Sequence, residues 1–447
     1  MERMPFSTPM PPGSVEAVPA IEPASSEPAA SVRLLAGVMV GAALICAVLL
    51  VRITALLIWQ DQFVALRAAG QLSLDIADLH LRHSLAILPL ALVLIVFDSA
   101  VHEGAHVFGG WLMGFHFEAV QIGPLAIRRD LFGLRARLSA KRLFGGSTSS
   151  HPITERNVRA REAVTVAFGP LSSLALAVGA ALLERATVAR PGASAFFPGP
   201  NPLAETLLAG LAVLSLASFV ENIVPLKLGK IENDGMILLG LLLGTRASER
   251  RIALSLLRGY TLAGVEPRDR PPDLALRAAA LARGTSAEHG AWVSAYSQAM
   301  DMGDLTRAST YLDRALATQT TSGGPSGTFA HELAFFEARH RNHPALARFW
   351  LERGRGDRFD AMMRPRALAA ILLLEGRREE AAASARAGLA ALEELRAASG
   401  RTHRYRSDEA SLRALLADAE PHSHEIFNDP RDLDDGPSHS NTEASVP

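Results

Sequence analysis

An apolar stretch that ends in three ionisable side chains most constrains what this chain can fold into. The run LAILPLALVLIVF is followed directly by DSAVHEGAHVFGGWLMG, which extends from Asp98 to Gly114. Together the run and the motif predict a helix from Ser84 to about Met113, which is long enough to cross a membrane. Polar and ionisable groups are costly there unless they are paired or bind a metal. We therefore expect His102, Glu103 and His106 to have a function.

Four segments are apolar enough to predict membrane spans, which concentrates the hydrophobic content of 49% in part of the chain. They are Leu34 to Val51, Ser84 to about Met113, Ala163 to Leu183 and roughly Ala204 to Val220. A further apolar piece at 236–244 is too short to cross alone, and it predicts a partial helix buried against protein. The sequence thus predicts a multi-span helical bundle.

The charge of the connecting loops predicts the orientation of this bundle. Nine arginines and lysines lie between the second and third spans, and only Arg185 and Arg190 lie between the third and fourth. Because basic loops remain on the cytoplasmic side, the first of these loops should be cytoplasmic. Four crossings then place both termini in the cytoplasm, although Arg52 at the outer end of the first span is an exception. We predict a multi-pass protein of the cell membrane.

Composition divides the chain into five parts. The segment 1–32 is rich in Pro, Ala, Ser and Glu and predicts disorder. The first span and a connecting segment occupy 33–83, and the membrane core occupies 84–247. Helix-forming Ala, Arg, Glu and Leu dominate 248–401 and predict a soluble α-helical domain. The polar tail at 402–447 predicts disorder.

Two further properties exclude some functional classes. The formal net charge is −1, so no global basic field indicates nucleic acid as a partner. Cys46 is the single cysteine, which excludes a disulfide within one chain and a cysteine metal cluster.

Small residues seven apart recur behind a turn in the helical domain. The pairs are Ala308 and Ala315, Ala347 and Gly354, and Ala381 and Gly388. Small side chains at this spacing let two helices approach closely, as in tetratricopeptide repeats. An ordinary helical bundle and a tetratricopeptide-like array both fit the pattern.

The segment His102-Glu103-Gly104-Ala105-His106 has the HExxH pattern. Residues four apart share one face of a helix, so both imidazoles can bind one metal while Glu103 lies beside it. Catalytic zinc takes three protein ligands and leaves the fourth position to water. The alternative is a polar patch at the cytoplasmic interface of the membrane.

A third ligand must also lie at the end of a span, and the segment from Glu221 to Gly240 supplies candidates. Pro225 ends the fourth span, which frees backbone groups to line a cavity. We favour Asp234 as the ligand because it precedes Gly235 and opens the short apolar helix, with Glu232 and Asn233 as competitors.

These motifs resemble the site-2 protease family of intramembrane zinc metalloproteases. The resemblance covers roughly residues 84–245. It rests on HExxH, on Asn222-x-x-Pro225 followed by Asp234-Gly235, on VFGGWLMG, and on Gly169-Pro170 in AFGPLSSL. The segments FHFEAVQIGPLAIRR and LFGLRARLS are similar to the membrane-associated β-hairpin of the family. The chain departs from it at Ala105, where many members have glycine, and in the longer, more polar KLGKIEN loop before Asp234.

The resemblance implies a fold and a set of roles. The fold would be a mainly α membrane bundle with a small membrane-associated β element, followed by the soluble helical domain. His102, His106 and Asp234 would bind one zinc ion per chain, and Glu103 would be the general acid/base. Asn222 would hydrogen-bond the substrate backbone or the developing oxyanion.

The expected activity is zinc-dependent hydrolysis of peptide bonds in or near transmembrane segments of membrane proteins. Partners would be this substrate, the lipid bilayer and a protein that binds the helical domain, but no nucleic acid. Asp98 lies one turn before His102, where it could orient an imidazole or hydrogen-bond a neighbouring helix. A catalytically silent scaffold with the same fold and a metal transporter are the competing functions.

Overall fold

The chain was analysed as a computed structural model. It describes residues 76–130, 133–138, 145–188, 202–228, 231–319, 327–354, 360–399 and 405–420. The predicted disordered segment 1–32, the predicted span Leu34 to Val51 and the end of the predicted tail lie outside these residues.

Two of the described helices are long and apolar enough to cross a membrane. Helix α1, Ile76–Leu112, begins before the predicted Ser84, and its apolar part is Leu90–Leu112; helix α2 is Val158–Val188. Only 22% and 28% of their most apolar windows are buried, whereas the core helix of a soluble protein is mostly buried. Helix α3, Pro202–Ile223, contains the predicted fourth span, but its described apolar part is shorter than a span. The described helices therefore support membrane association.

An antiparallel sheet of four described strands lies between α1 and α2. The strands are β1 His116–Ile122, β2 Leu125–Asp130, β3 Gly133–Leu138 and β4 Gly146–His151, in the order β3-β2-β1-β4. The predicted small β element is therefore confirmed. The pairing of β4 with β1, which makes β4 an edge of the sheet, was not predicted.

The loop after α3 brings a second short apolar helix back toward α1. Helix α3 ends at Ile223, two residues before Pro225, as predicted. A hairpin of β5, Lys227–Leu228, and β6, Ile231–Glu232, then leads into α4, Asp234–Leu243. A Cβ atom on Gly235 would lie 2.3 Å from the carbonyl oxygen of Ile223, so only glycine allows α4 to start this close to the end of α3.

The C-terminal part of the chain is α-helical, as predicted. Helix α5 is Arg246–Ala263, and a 3₁₀ turn, Pro267–Asp269, follows it. The next helices are α6 Leu274–Ala282, α7 Glu288–Asp301, α8 Leu305–Ala317, α9 Gly327–Arg339, α10 Pro344–Arg353, α11 Asp360–Leu374 and α12 Arg378–Ser399. Helices α7 and α8, α9 and α10, and α11 and α12 pack as successive pairs. The small residues Ala308, Ala315, Ala347 and Ala381 are fully buried in the second helix of each pair.

The hydrophobic core does not stop at the predicted boundary between residues 247 and 248. Leu241 of α4 belongs to the same buried cluster as Ile252 and Leu256 of α5, and that cluster continues through the helical domain. Helix α4 and the helical domain are therefore packed together.

The predicted disorder of the tail is wrong for its first part. Helix α13, Arg406–Ala419, packs on α11 and α12, and Leu412 and Leu415 are buried. The apolar residues of this helix have helical spacing, but the polar and acidic sequence that follows dominates the composition of 402–447. The helical domain thus extends at least to residue 420.

Candidate metal centre

Two histidines and one aspartate from distant parts of the sequence meet where α1, α2 and α4 pack together. The Nε2 atoms of His102 and His106 are 3.2 Å apart, and Oδ2 of Asp234 lies 3.1 Å from each of them. The histidines are one turn apart on α1, so they share a face. The three predicted ligands are therefore brought together.

The spacing of these atoms fits a metal ion. Ligands in tetrahedral positions about 2.0–2.1 Å from one zinc ion would be roughly 3.3 Å apart, which is close to the observed separations. Both histidines are buried, and Asp234 is mostly buried. The cluster of His102, His106 and Asp234 could hold a metal ion.

The far side of each imidazole is fixed by α2. Nδ1 of His106 lies 3.0 Å from the carbonyl oxygen of Thr165, and Nδ1 of His102 lies 2.9 Å from Oγ of Ser173. A carbonyl only accepts, so the proton of a neutral His106 is on Nδ1 and its Nε2 has a free lone pair. Ser173 can accept in the same way from His102. Such outer hydrogen bonds are typical of metal-binding histidines.

Gly169 explains why the two imidazoles can lie against α2. A Cβ atom at this position would be 2.2 Å from Nε2 of His106 and 2.7 Å from Nε2 of His102. Any side chain here would push the rings out of position. The Gly169-Pro170 element of the sequence therefore has a direct structural role at the site.

Asn233 holds the loop that delivers the aspartate. Its Oδ1 accepts hydrogen bonds from the backbone N–H groups of Leu226 and Met236, both at 3.0 Å. Its Nδ2 donates to the carbonyl oxygens of Glu221 and Val224 at 2.6 and 2.7 Å. Asn233 is thus the N-cap of α4 and cross-links both ends of the loop.

Neither competitor for the third ligand position reaches the cluster. Both side-chain amide atoms of Asn233 are hydrogen-bonded within the loop. Glu232 accepts a hydrogen bond from Lys227 at 2.7 Å and another from Arg251 at 3.2 Å. The bond from Lys227 holds the pKa of Glu232 below its usual value, with a smaller contribution from Arg251. Of the three candidates, Asp234 is the residue that lies beside the two histidines.

Glu103 is buried beside the cluster and bonded to the sheet. Its Oε2 accepts a hydrogen bond from Oγ1 of Thr148 in β4 at 2.6 Å. Gly146, also in β4, leaves room for this carboxylate, because a Cβ there would lie 2.3 Å from Cγ of Glu103. The carboxylate is close enough to interact electrostatically with His106 and Asp234.

The two other predicted site residues bond elsewhere. Oδ1 of Asp98 accepts from Oγ of Ser215 on α3 at 2.6 Å, so Asp98 joins two helices, and Ser173 takes the position beside His102. Nδ2 of Asn222 donates to the carbonyl oxygen of Ser218, one turn back in α3, at 2.9 Å. A contact of Asn222 with a substrate stays a prediction.

Thr148 and Ser173 are site residues that the sequence did not identify, and Asn233 was predicted only as a competing ligand, not as the residue that holds the loop. Thr148 lies in GSTSSH, a polar segment without the alternation that predicts a strand. Ser173 could have been noticed as a polar residue one helical turn after Gly169. Asn233 is an asparagine directly before an apolar helical run, which is typical of an N-cap residue. Its capping role could therefore be predicted from the sequence.

Comparisons of the chain with known protein families, curated proteins and solved structures found no match.

Proposed function

We propose that this chain is an intramembrane zinc metalloprotease that hydrolyses peptide bonds in or near transmembrane segments of membrane proteins. The observation that carries the proposal is the convergence of three metal-binding atoms within 3.1–3.2 Å of one another at the end of an apolar helix. Glu103, a general-base candidate, is buried beside them. Without a cation, grouping these side chains so deeply would be costly.

His102, His106 and Asp234 would hold one zinc ion, since two nitrogens and one oxygen form a usual donor set for catalytic zinc. A zinc ion held there would supply Lewis-acid chemistry, which acidifies a water molecule and polarises a peptide carbonyl.

Glu103 would carry out the proton transfers of peptide hydrolysis. Its carboxylate would accept a proton from the attacking water as the water oxygen bonds to the carbonyl carbon. It would then pass this proton to the amide nitrogen as the C–N bond breaks. The hydrogen bond from Thr148 would hold one carboxylate oxygen in place during both steps. Asn222, after rotation of its amide, would donate to the oxyanion or the substrate backbone.

A transmembrane substrate must unwind before its carbonyl groups become accessible, and a strand edge can hold the unwound segment. We place this edge at β4, because β4 contacts Glu103 and pairs with only one described strand. A photo-reactive residue at Ser147 of β4 should crosslink to substrate, and the same residue at Leu134 of the opposite edge, β3, should not. Equal crosslinking from both edges would refute this placement.

The membrane arrangement is also part of the proposal. The chain would be a multi-pass protein of the cell membrane with both termini in the cytoplasm, as the basic loops indicate. The successive helix pairs after α6 would form a tetratricopeptide-like platform for a protein partner. Their packing and their buried small residues support this proposal.

Removal and restoration of zinc test the proposed function. The full-length protein, purified in detergent with a co-expressed tagged single-span protein, should stop cleaving after chelation and resume when zinc is added. Mass spectrometry of the fragments would locate the cleaved bond. Cleavage that persists after complete removal of the metal would refute the proposal, and zinc binding without any cleavage would favour the silent scaffold.

A further inference from the structure

The edge strand β4 contacts the proposed catalytic carboxylate on one side and the helical domain on the other. Thr148 donates to Glu103, and its neighbour Ser147 is exposed. Within the described sheet, β4 pairs only with β1. A strand with one neighbour is less constrained than a central strand, so its other contacts matter more for its position.

Helix α1, which carries Glu103, and helix α5, the first helix of the helical domain, make these other contacts. Oγ of Ser255 lies 2.9 Å from Nδ1 of His151, the last residue of β4. Gly259 lies against Pro152, directly after the strand, and a Cβ on Gly259 would be only 1.9 Å from the carbonyl oxygen of Pro152. The end of β4 is therefore held in direct contact with α5.

A buried carboxylate links the same elements a second time. Oε2 of Glu118 in β1 lies 2.8 Å from Nε2 of His151, and its Oε1 accepts from Arg258 of α5 and, at 3.0 Å, from Arg128. The side chains of Glu118 and His151 are mostly buried, so the bond between them is shielded from water, whereas both arginine side chains are exposed. Removing one partner of such a buried charged group is costly, which makes this a firm link.

Helix α5 is also an integral part of the helical domain. Ile252 and Leu256 belong to the hydrophobic cluster that runs through α6, α7 and the following helices. A displacement of the helical domain would therefore carry α5 with it. Through the contacts with His151 and Pro152, that displacement would reach β4.

We infer that helix α5 sets the position of Glu103 through β4, so that the helical domain controls the proposed active site. This inference rests on the proposed function. Thr148 is the positioning residue, since its hydroxyl joins the strand to the carboxylate. A protein that binds the helical domain and shifts α5 would change the hydrolysis rate without touching a metal ligand. A displacement of about 1 Å at a catalytic group can lower a rate on the order of 100-fold.

Two glycine-to-alanine variants form a matched pair for the test. Gly259→Ala introduces a methyl group into the backbone of Pro152, whereas a Cβ at Gly290, in helix α7, meets no atom within 4 Å. Both glycines are helical, so both variants gain similar helix propensity. Hydrogen exchange would be measured on the full-length zinc-loaded protein.

The peptide covering β4 should exchange at least about 10-fold faster in Gly259→Ala than in the wild type, because it loses its support from α5. Gly290→Ala should exchange like the wild type, and the zinc content of all three should be equal. Equal β4 exchange in the two variants would overturn the inference. If Gly259→Ala does not fold, Ser255→Ala, which removes one bond to His151, decides the question by the same measurement.

Cleavage of a tagged single-span protein provides the second readout. Gly259→Ala and Thr148→Val should lower kcat at least about 10-fold with little change in KM, and Thr148→Ser should restore it because the hydroxyl returns. Thr148→Val with wild-type kcat would overturn the positioning role. If the wild type cleaves nothing, the proposed function fails. The hydrogen exchange of β4 in Gly259→Ala, compared with the wild type, still decides whether α5 holds the strand. If the wild type cleaves and Gly259→Ala cleaves equally, the inference alone fails.

Discussion

Gly169→Ala should strongly weaken metal binding although the residue is not one of the candidate ligands. The added Cβ would lie 2.2 Å from Nε2 of His106 and 2.7 Å from Nε2 of His102. Non-bonded contacts need about 3.5 Å, so a ring must move by roughly 1 Å. Metal–ligand distances tolerate about 0.2 Å.

The rings cannot move this far without losing other interactions. Nδ1 of His106 is bonded to the carbonyl oxygen of Thr165, and Nδ1 of His102 to Ser173, both on α2 with Gly169. Loss of an outer hydrogen bond alone typically lowers metal affinity 10- to 100-fold. We therefore expect zinc affinity to fall at least about 100-fold in Gly169→Ala.

Gly179→Ala is the matched control, because Gly179 is in the same helix and a Cβ there meets no atom within 4 Å. Each variant gains up to about 1 kcal/mol in helix propensity, so the control should be as stable as the wild type or more so. Competition with a fluorescent zinc chelator on the purified full-length protein gives the affinities. Wild-type affinity in Gly169→Ala would refute the packing argument for this site.

Three other changes test separate parts of the structure. Ser173→Ala should weaken zinc binding about 10- to 100-fold by removing the partner of His102, and an unchanged competition titration would contradict this. Asn233→Ala should remove the N-cap of α4, lower the unfolding free energy by about 0.5–2 kcal/mol and weaken zinc binding. Asn233→Asp keeps the cap oxygen and should lose less stability and less zinc affinity. Equal thermal unfolding and equal zinc titrations of the two variants would count against the cap. A hydrogen bond from His151, supported by an arginine of α5, holds the pKa of Glu118 well below its usual 4.5. This group therefore stabilises the folded state above pH 4.5, and its contribution is lost as the pH falls toward the folded-state pKa. Chemical denaturation from pH 7 to pH 3 should show a steeper acid loss for the wild type than for Glu118→Gln, and parallel curves would rule out this linkage.

The cluster of candidate metal ligands could be predicted because its residues carry strong local signals. HExxH fixes two ligands on one helical face, and the cost of ionisable groups in an apolar helix demands a partner. Asp234 could be singled out from Glu232 and Asn233 because it precedes Gly235 and opens an apolar helix. The structure adds the reason that Asn233 is excluded, which is its use of both amide atoms in the loop.

The parts that could not be predicted depend on contacts between distant segments. The strand β4 has few apolar residues, and only its pairing with β1 and its contact with Glu103 make it a strand beside the site. Asp98 has the right spacing to reach His102, but its orientation toward Ser215 is decided by how α1 and α3 pack. The composition of 402–447 does not predict helix α13, because the acidic and polar residues after this helix dominate it.

Comparison of the wild type with Glu103→Gln in membranes tests the central claim most directly. Zinc content and cleavage of tagged single-span proteins would be measured on the same preparations. Because Glu103 is not one of the three clustered donors, the variant should retain one zinc per chain while cleavage falls to background. Equal cleavage by the wild type and Glu103→Gln would contradict the claim that this carboxylate and the metal centre beside it form a peptidase site.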